Sequence, residues 1–156
     1  MSLSICIFLA CCAIIALSLI PKKLTELESL FVFFGSTVFE LSVFTIVHVN
    51  LDWVIVPHSN EPAFAILVLR LAVIPVMLVI AAHVLLYERP WLKWISAAGI
   101  LLFFMLLHSL EVKLGILVTP HWNAYYSLVV FAGCIAFTRV LTQLILNVRR
   151  REEIRS

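Results

Sequence analysis

Glu40, Arg70, His108, Glu111 and Arg139 stand inside runs of sequence that are otherwise apolar. Two carboxylates, two guanidinia and an imidazole can form ion pairs, hold or pass a proton, or ligate a cation. Ser36, Thr37, Thr138, Thr142 and Gln143 accompany them, adding groups able to hydrogen-bond between helices. Which of these chemistries is open depends on the solvent.

That solvent is lipid. Of 156 residues, 63% are hydrophobic and 13% charged, with a mean hydropathy of +1.13; a soluble domain carries about 25% charged residues. Apolar segments at about 3–20, 30–49, 63–87, 95–118 and 124–146 each suffice to cross about 30 Å of hydrocarbon at 1.5 Å per residue. They consume the chain and leave short loops and a basic tail, 147–156. Long unbroken apolar runs lack the alternation of barrel strands, so backbone hydrogen bonding in lipid is met by helices. The expected architecture is a single all-α bundle of five transmembrane helices over 1–156.

Basic residues predict its orientation. Lys22 and Lys23 lie in the first loop, Arg89 and Lys93 in the third, and Arg149, Arg150, Arg151 and Arg155 in the tail. The start "MSLS", the second loop "NLDWVIVPHSNEP" and the fourth "TPHWN" have no Lys or Arg. The positive-inside rule then places the N-terminus outside and the C-terminus in the cytoplasm. Trp53, Trp91, Trp94, Trp122, Tyr87, Tyr125 and Tyr126 fall near predicted helix ends, as aromatic belts do. The first segment reads as a retained helix, since it has neither the charged start nor the small-residue cleavage site of a secretory signal.

An ionisable group near the bilayer centre costs about 2.5–3.5 kcal/mol and turns inward to a partner. Measured from the cytoplasmic ends of straight helices, Arg139 lies at about 10 Å, Glu40 at 15 Å, His108 at 20 Å, Glu111 at 24 Å and Arg70 at 25 Å. The expected pair is therefore Arg70 with Glu111, with His108 or Arg139 as candidates for Glu40. His108 and Glu111 share a helix face at i and i+3; Ser36, Thr37 and Glu40 share another, as do Arg139, Thr142 and Gln143. A polar seam between helices two to five follows, with helix one outside it. Pro75 removes a backbone donor and predicts a kink one turn from Arg70. Lys113 reads as a snorkelling residue at the outer end.

Other chemistries find little support. Cys6, Cys11, Cys12 and Cys134 lie within spans without a metal or redox spacing and read as small packing residues. His48, His58, His83 and His121 form no haem or zinc constellation, and the protease signatures are missing. No cofactor, metal or nucleic-acid partner is expected. The tail reads as an anchor on anionic lipid, and Asp52, His58 and Glu61 around "WVIVP" form the most plausible outer contact surface.

The stretch from Glu111 through "LGILVTPHWNAYY", with Trp122, Tyr125 and Tyr126 opening the last helix, resembles a family of short uncharacterised multi-pass membrane proteins of endospore-forming bacteria. That resemblance implies a bacterial plasma-membrane location and a bundle of four or five helices, with no catalytic residue to carry over. The expected function is a non-enzymatic structural, sensory or accessory component, partnered by the bilayer and by a second copy or another membrane protein. The alternative is a small oligomeric transporter or proton-linked module using Glu40, Arg70, His108 and Glu111.

Overall fold

The computed structural model describes residues 2–51, 53–57 and 60–155, with side chains as far as Arg151. Asp52, His58 and the side chain of Arg155, all named above, lie outside the described residues. Five helices are long and apolar enough to span a membrane. They are α1 (Ser2–Leu19), α2 (Glu26–Asn50), α3 (Asn60–Leu85), α4 (Pro90–Lys113) and α5 (Ala124–Arg155). Among the described residues the only β pairing is an isolated antiparallel bridge, Ile55 with Val118.

Three helix ends depart from the apolar runs because local capping chemistry outweighs hydropathy. α2 begins at Glu26, earlier than the expected residue 30. Thr25 and Glu28 form a capping box there: the Thr25 hydroxyl accepts from the Glu28 N–H at 3.3 Å, and the Glu28 carboxylate accepts from the Thr25 N–H at 2.7 Å. α4 begins at Pro90 rather than 95, since a proline lacks the N–H that the first helical turn would leave unpaired. It stops at Lys113 rather than 118. Gly115 takes φ +66°, and the N–H groups of Gly115 and Ile116 turn back to the carbonyls of Val112 and Glu111 at 3.1 and 3.0 Å, a Schellman end. α5 runs on to Arg155 instead of stopping at 146, so the basic tail is helical.

The glycine end yields a prediction. Gly115→Val should lower stability in detergent thermal unfolding by about 1–2 kcal/mol, the cost of a left-handed conformation for a residue with a Cβ. Gly115→Asn should lose clearly less, and equal losses would refute the conformational explanation.

α3 is the central helix. In its most apolar membrane-length stretch 56% of residues are buried, against 28% or less in the others, and it packs on α1, α2, α4 and α5. That explains its near-continuous apolar sequence, because a helix surrounded by neighbours has no face to give to polar residues. α2 and α4 each pack on both α3 and α5, while α1 lies chiefly against α3, including its Leu69–Val73 turn. Cys6 and Cys134 are buried packing residues; Cys11 and Cys12 face outward, so only two of the four serve as expected.

Pro75 produces a π-helical turn, Leu69–Val73, in which the Ile74 N–H reaches the Leu69 carbonyl. Widening this turn accommodates the proline's missing donor and its ring against residue 71. Arg70 lies within it.

Contacts sort the loops into two ends. At one, buried His83 accepts the Lys23 N–H at Nδ1 (3.1 Å) and meets Ser29 Oγ at Nε2 (3.3 Å), while Arg149 pairs with Glu28 at 3.7 Å. At the other, Ser2 Oγ donates to Glu61 at 3.0 Å, Ile55 bridges to Val118, and Trp53, Trp122 and Tyr126 cluster with ring centroids 5.2–6.2 Å apart. The basic first and third loops and the basic α5 end thus lie together. His83→Leu should loosen that end, costing about 1–3 kcal/mol because it strips a partner from two polar groups in part-buried positions. A cysteine placed at Lys23 should then react faster with a soluble maleimide; an unchanged rate would show that His83 does not hold the loop.

Candidate functional site

Glu40 on α2 is 2% exposed and its Oε1 forms an ion pair and hydrogen bond with the Arg70 guanidinium of α3. The same guanidinium lies 4.0 Å from the centroid of the Phe44 ring. Phe44 follows Glu40 by one helical turn, so one face of α2 presents both a carboxylate and an aromatic ring to Arg70.

This corrects the expected pairing of Arg70 with Glu111. The error lay in the helix ends, not in the principle of equal depth. Counted from Glu26, Glu40 stands about 21 Å along α2; counted back from Leu85, Arg70 stands about 22 Å along α3. Counted from Pro90, Glu111 is about 31 Å along α4, well above both. Arg70 still points inward, as the seam required, but to the nearer carboxylate. Neither His108 nor Arg139 is the partner of Glu40.

Glu111, 2% exposed in the last turn of α4, faces His108 on its own helix with Oε2 to Nδ1 at 3.6 Å. That is too long for a hydrogen bond and close enough for charge attraction if the imidazole is protonated. Among the described residues, Oε2 of Glu111, Oε2 of Glu40 and Nε of Arg70 are buried without a hydrogen-bond partner. A cavity of about 30 Å³ beside Glu40, Arg70 and His108 has a partial roof that includes Val54, Leu117 and Trp122. Its size suits about one or two waters, which could serve Glu40 and Arg70.

Histidine 48, unassigned from sequence, secures that roof. Its Nδ1 lies 2.6 Å from the Val54 carbonyl, which can only accept, so Nδ1 donates. Its ring also stacks on Phe44 at 5.4 Å. Trp122 is fixed by an Nε1–H bond to Ser127 Oγ at 2.6 Å, and reciprocal backbone bonds of 2.8 and 2.9 Å join Ile55 to Val118. The "WVIVP" segment is therefore folded over the bundle, with Val54 buried.

The accompanying polar residues divide. Ser36, Thr37, Thr138 and Thr142 are buried as expected. Their hydroxyls, however, donate within their own helices, to the carbonyls of Val32, Phe33, Cys134 and Thr138 respectively. They serve the bundle as small residues that let helices approach, as Gly35 does against Leu141, while Phe39 stacks on Phe137 at 4.2 Å between the same two helices. Arg139 and Gln143 are exposed and face away from the seam, which corrects their expected membership in it. α5 turns Thr138 and Thr142 inward, and a step of one residue rotates by about 100°. Arg139 instead borders an outer cleft with Lys93 and Arg150.

The cluster brought together is thus Glu40, Arg70, His108 and Glu111. Among the described residues no three His, Cys, Asp or Glu side chains gather in a way that could hold a metal ion. Comparison with models of protein families, with curated proteins and with solved structures finds no match.

Proposed function

We propose that this chain is a non-enzymatic multi-pass component of a bacterial plasma membrane, N-terminus outside and C-terminus in the cytoplasm. It acts as a structural, sensory or accessory subunit alongside a second copy or another membrane protein. The Glu40–Arg70 pair is the lock that sets how α2 and α3 meet. One observation carries this reading: the space at the charged cluster is only about 30 Å³ and is partly covered, which suits a fixed pair and water rather than a passing solute.

Reconstitution tests it. Liposomes containing the purified chain and a pH-sensitive dye should acidify no faster than protein-free liposomes under an imposed potential. Crosslinking in native membranes should trap a protein neighbour. Proton entry that disappears in a Glu111→Gln variant that still folds would replace this reading with a proton-linked one. That second reading is favoured by the buried Glu111 carboxyl, which keeps one oxygen without a hydrogen bond beside the His108 imidazole.

A further inference from the structure

We propose that the cleft between α4 and α5 at the basic end binds one anionic glycerophospholipid, its phosphate held by Lys93, Arg139 and Arg150 and an acyl chain lying in the groove above. Two adjoining hollows make up the site. The first, about 340 Å³, is bordered by those three cations with Thr142, Gln143 and Asn147, and no described carboxylate lines it. The second, about 610 Å³, shares Lys93 and Arg139 with the first and continues along both helices over Ala97, Ala98, Ala132 and Ala136.

Arg139 supplies the strongest argument. It is a guanidinium within a membrane-spanning helix, exposed, and without an ion pair or hydrogen bond among the described residues. An arginine so placed is stabilised by an anion, and no described side chain supplies one. Its height fits a headgroup. Lys93, which borders the same hollows, stands only three residues into α4, about 5 Å from its basic end. Trp94, another lining residue, is of the type that marks the headgroup level.

The groove then identifies the rest of the ligand. From Pro90 to Leu101 it follows α4 for about 16 Å towards the membrane interior. Alanine side chains keep its floor low where larger residues would fill it. A free phosphate would use the cations alone, whereas a phospholipid uses both hollows at once. Basic clefts between helices on the cytoplasmic side are the sites where anionic headgroups are held.

The full-length chain, purified in a neutral detergent and offered equal dioleoyl phosphatidylglycerol and dioleoyl phosphatidylcholine, tests this by native mass spectrometry. The expected result is one retained phosphatidylglycerol in clear preference. Lys93→Gln and Arg139→Gln should each lower that preference about fivefold, and Arg139→Lys should largely keep it. Ala98→Leu leaves every charge in place and blocks the groove, so it should weaken retention without abolishing headgroup preference. Should Arg139→Gln fail to fold, Lys93→Gln, Arg150→Gln and Ala98→Leu still decide the matter. Equal retention of the two lipids would overturn the proposal. So would full protection by inorganic phosphate alone, indifference to Ala98→Leu, or a second copy of the chain occupying the cleft.

Discussion

Arg70→Gln should destabilise the bundle by about 3–5 kcal/mol, because it strands the Glu40 carboxylate at 2% exposure without its cation. An ordinary interhelical hydrogen bond in a membrane protein is worth about 0.6 kcal/mol and at most about 1.7. The larger figure arises from the abandoned charge rather than the lost contact. Removing both charges should therefore cost less than removing one: Glu40→Gln with Arg70→Gln should recover about 2 kcal/mol or more of the loss. Arg70→Lys should recover little. An ammonium cannot reproduce the flat guanidinium that meets Glu40 on one side and the Phe44 ring on the other. Thermal unfolding in detergent, followed by far-ultraviolet circular dichroism, gives each value. A single-variant loss under about 1 kcal/mol, matched by the double variant, would show that the pair is not a lock.

The buried pair was legible in the sequence as residue types and misread as partners. Composition and run length imply five helices, and charges avoided by lipid imply an inward seam; Glu40, Arg70 and Glu111 are all turned inward. Pairing by depth depends on where each helix starts. The relevant signals were the T-x-x-E of Thr25 and Glu28, Pro90 at a helix start and Gly115 at a helix end. Each is short, polar or conformational, and each is easily lost beside a long apolar run. With those ends in place, Glu40 and Arg70 fall at one level.

Other features had no local signal. His83 meets Lys23 and Ser29 across separations of 60 and 54 residues, and His48 meets Val54 only because α2 ends in a π turn and the chain doubles back. Nothing in the sequence near either histidine specifies the partner. Arg139 shows the opposite limit. Its spacing from Thr142 and Gln143 places all three on one broad face, but the edge of the interior passes through that face. Spacing gives an angle between side chains and not the direction in which the helix is turned, which is set by what packs beside it. Here Phe131, Cys134 and Thr138 occupy the inward side, leaving Arg139 to the outer cleft.

Glu111→Leu should raise stability by about 1–3 kcal/mol, opposite in sign to the loss at Arg70. The Glu111 carboxyl is buried with Oε2 lacking a hydrogen bond, and an unpaired buried polar group costs about that much. Leucine is close in volume and suits the surrounding helix, so no large cavity should result. Arg70 keeps its direct partner, Glu40, while His108, already 15% exposed, has some access to its surroundings. The result separates two accounts of the cluster. A stabilised variant that loses a cellular phenotype would locate activity at Glu111 and His108, with Glu40 and Arg70 as their support. A loss of more than about 1 kcal/mol would instead make Glu111 a structural partner of Arg70, acting through space from farther out along the bundle, and the whole cluster would then be a single electrostatic clamp.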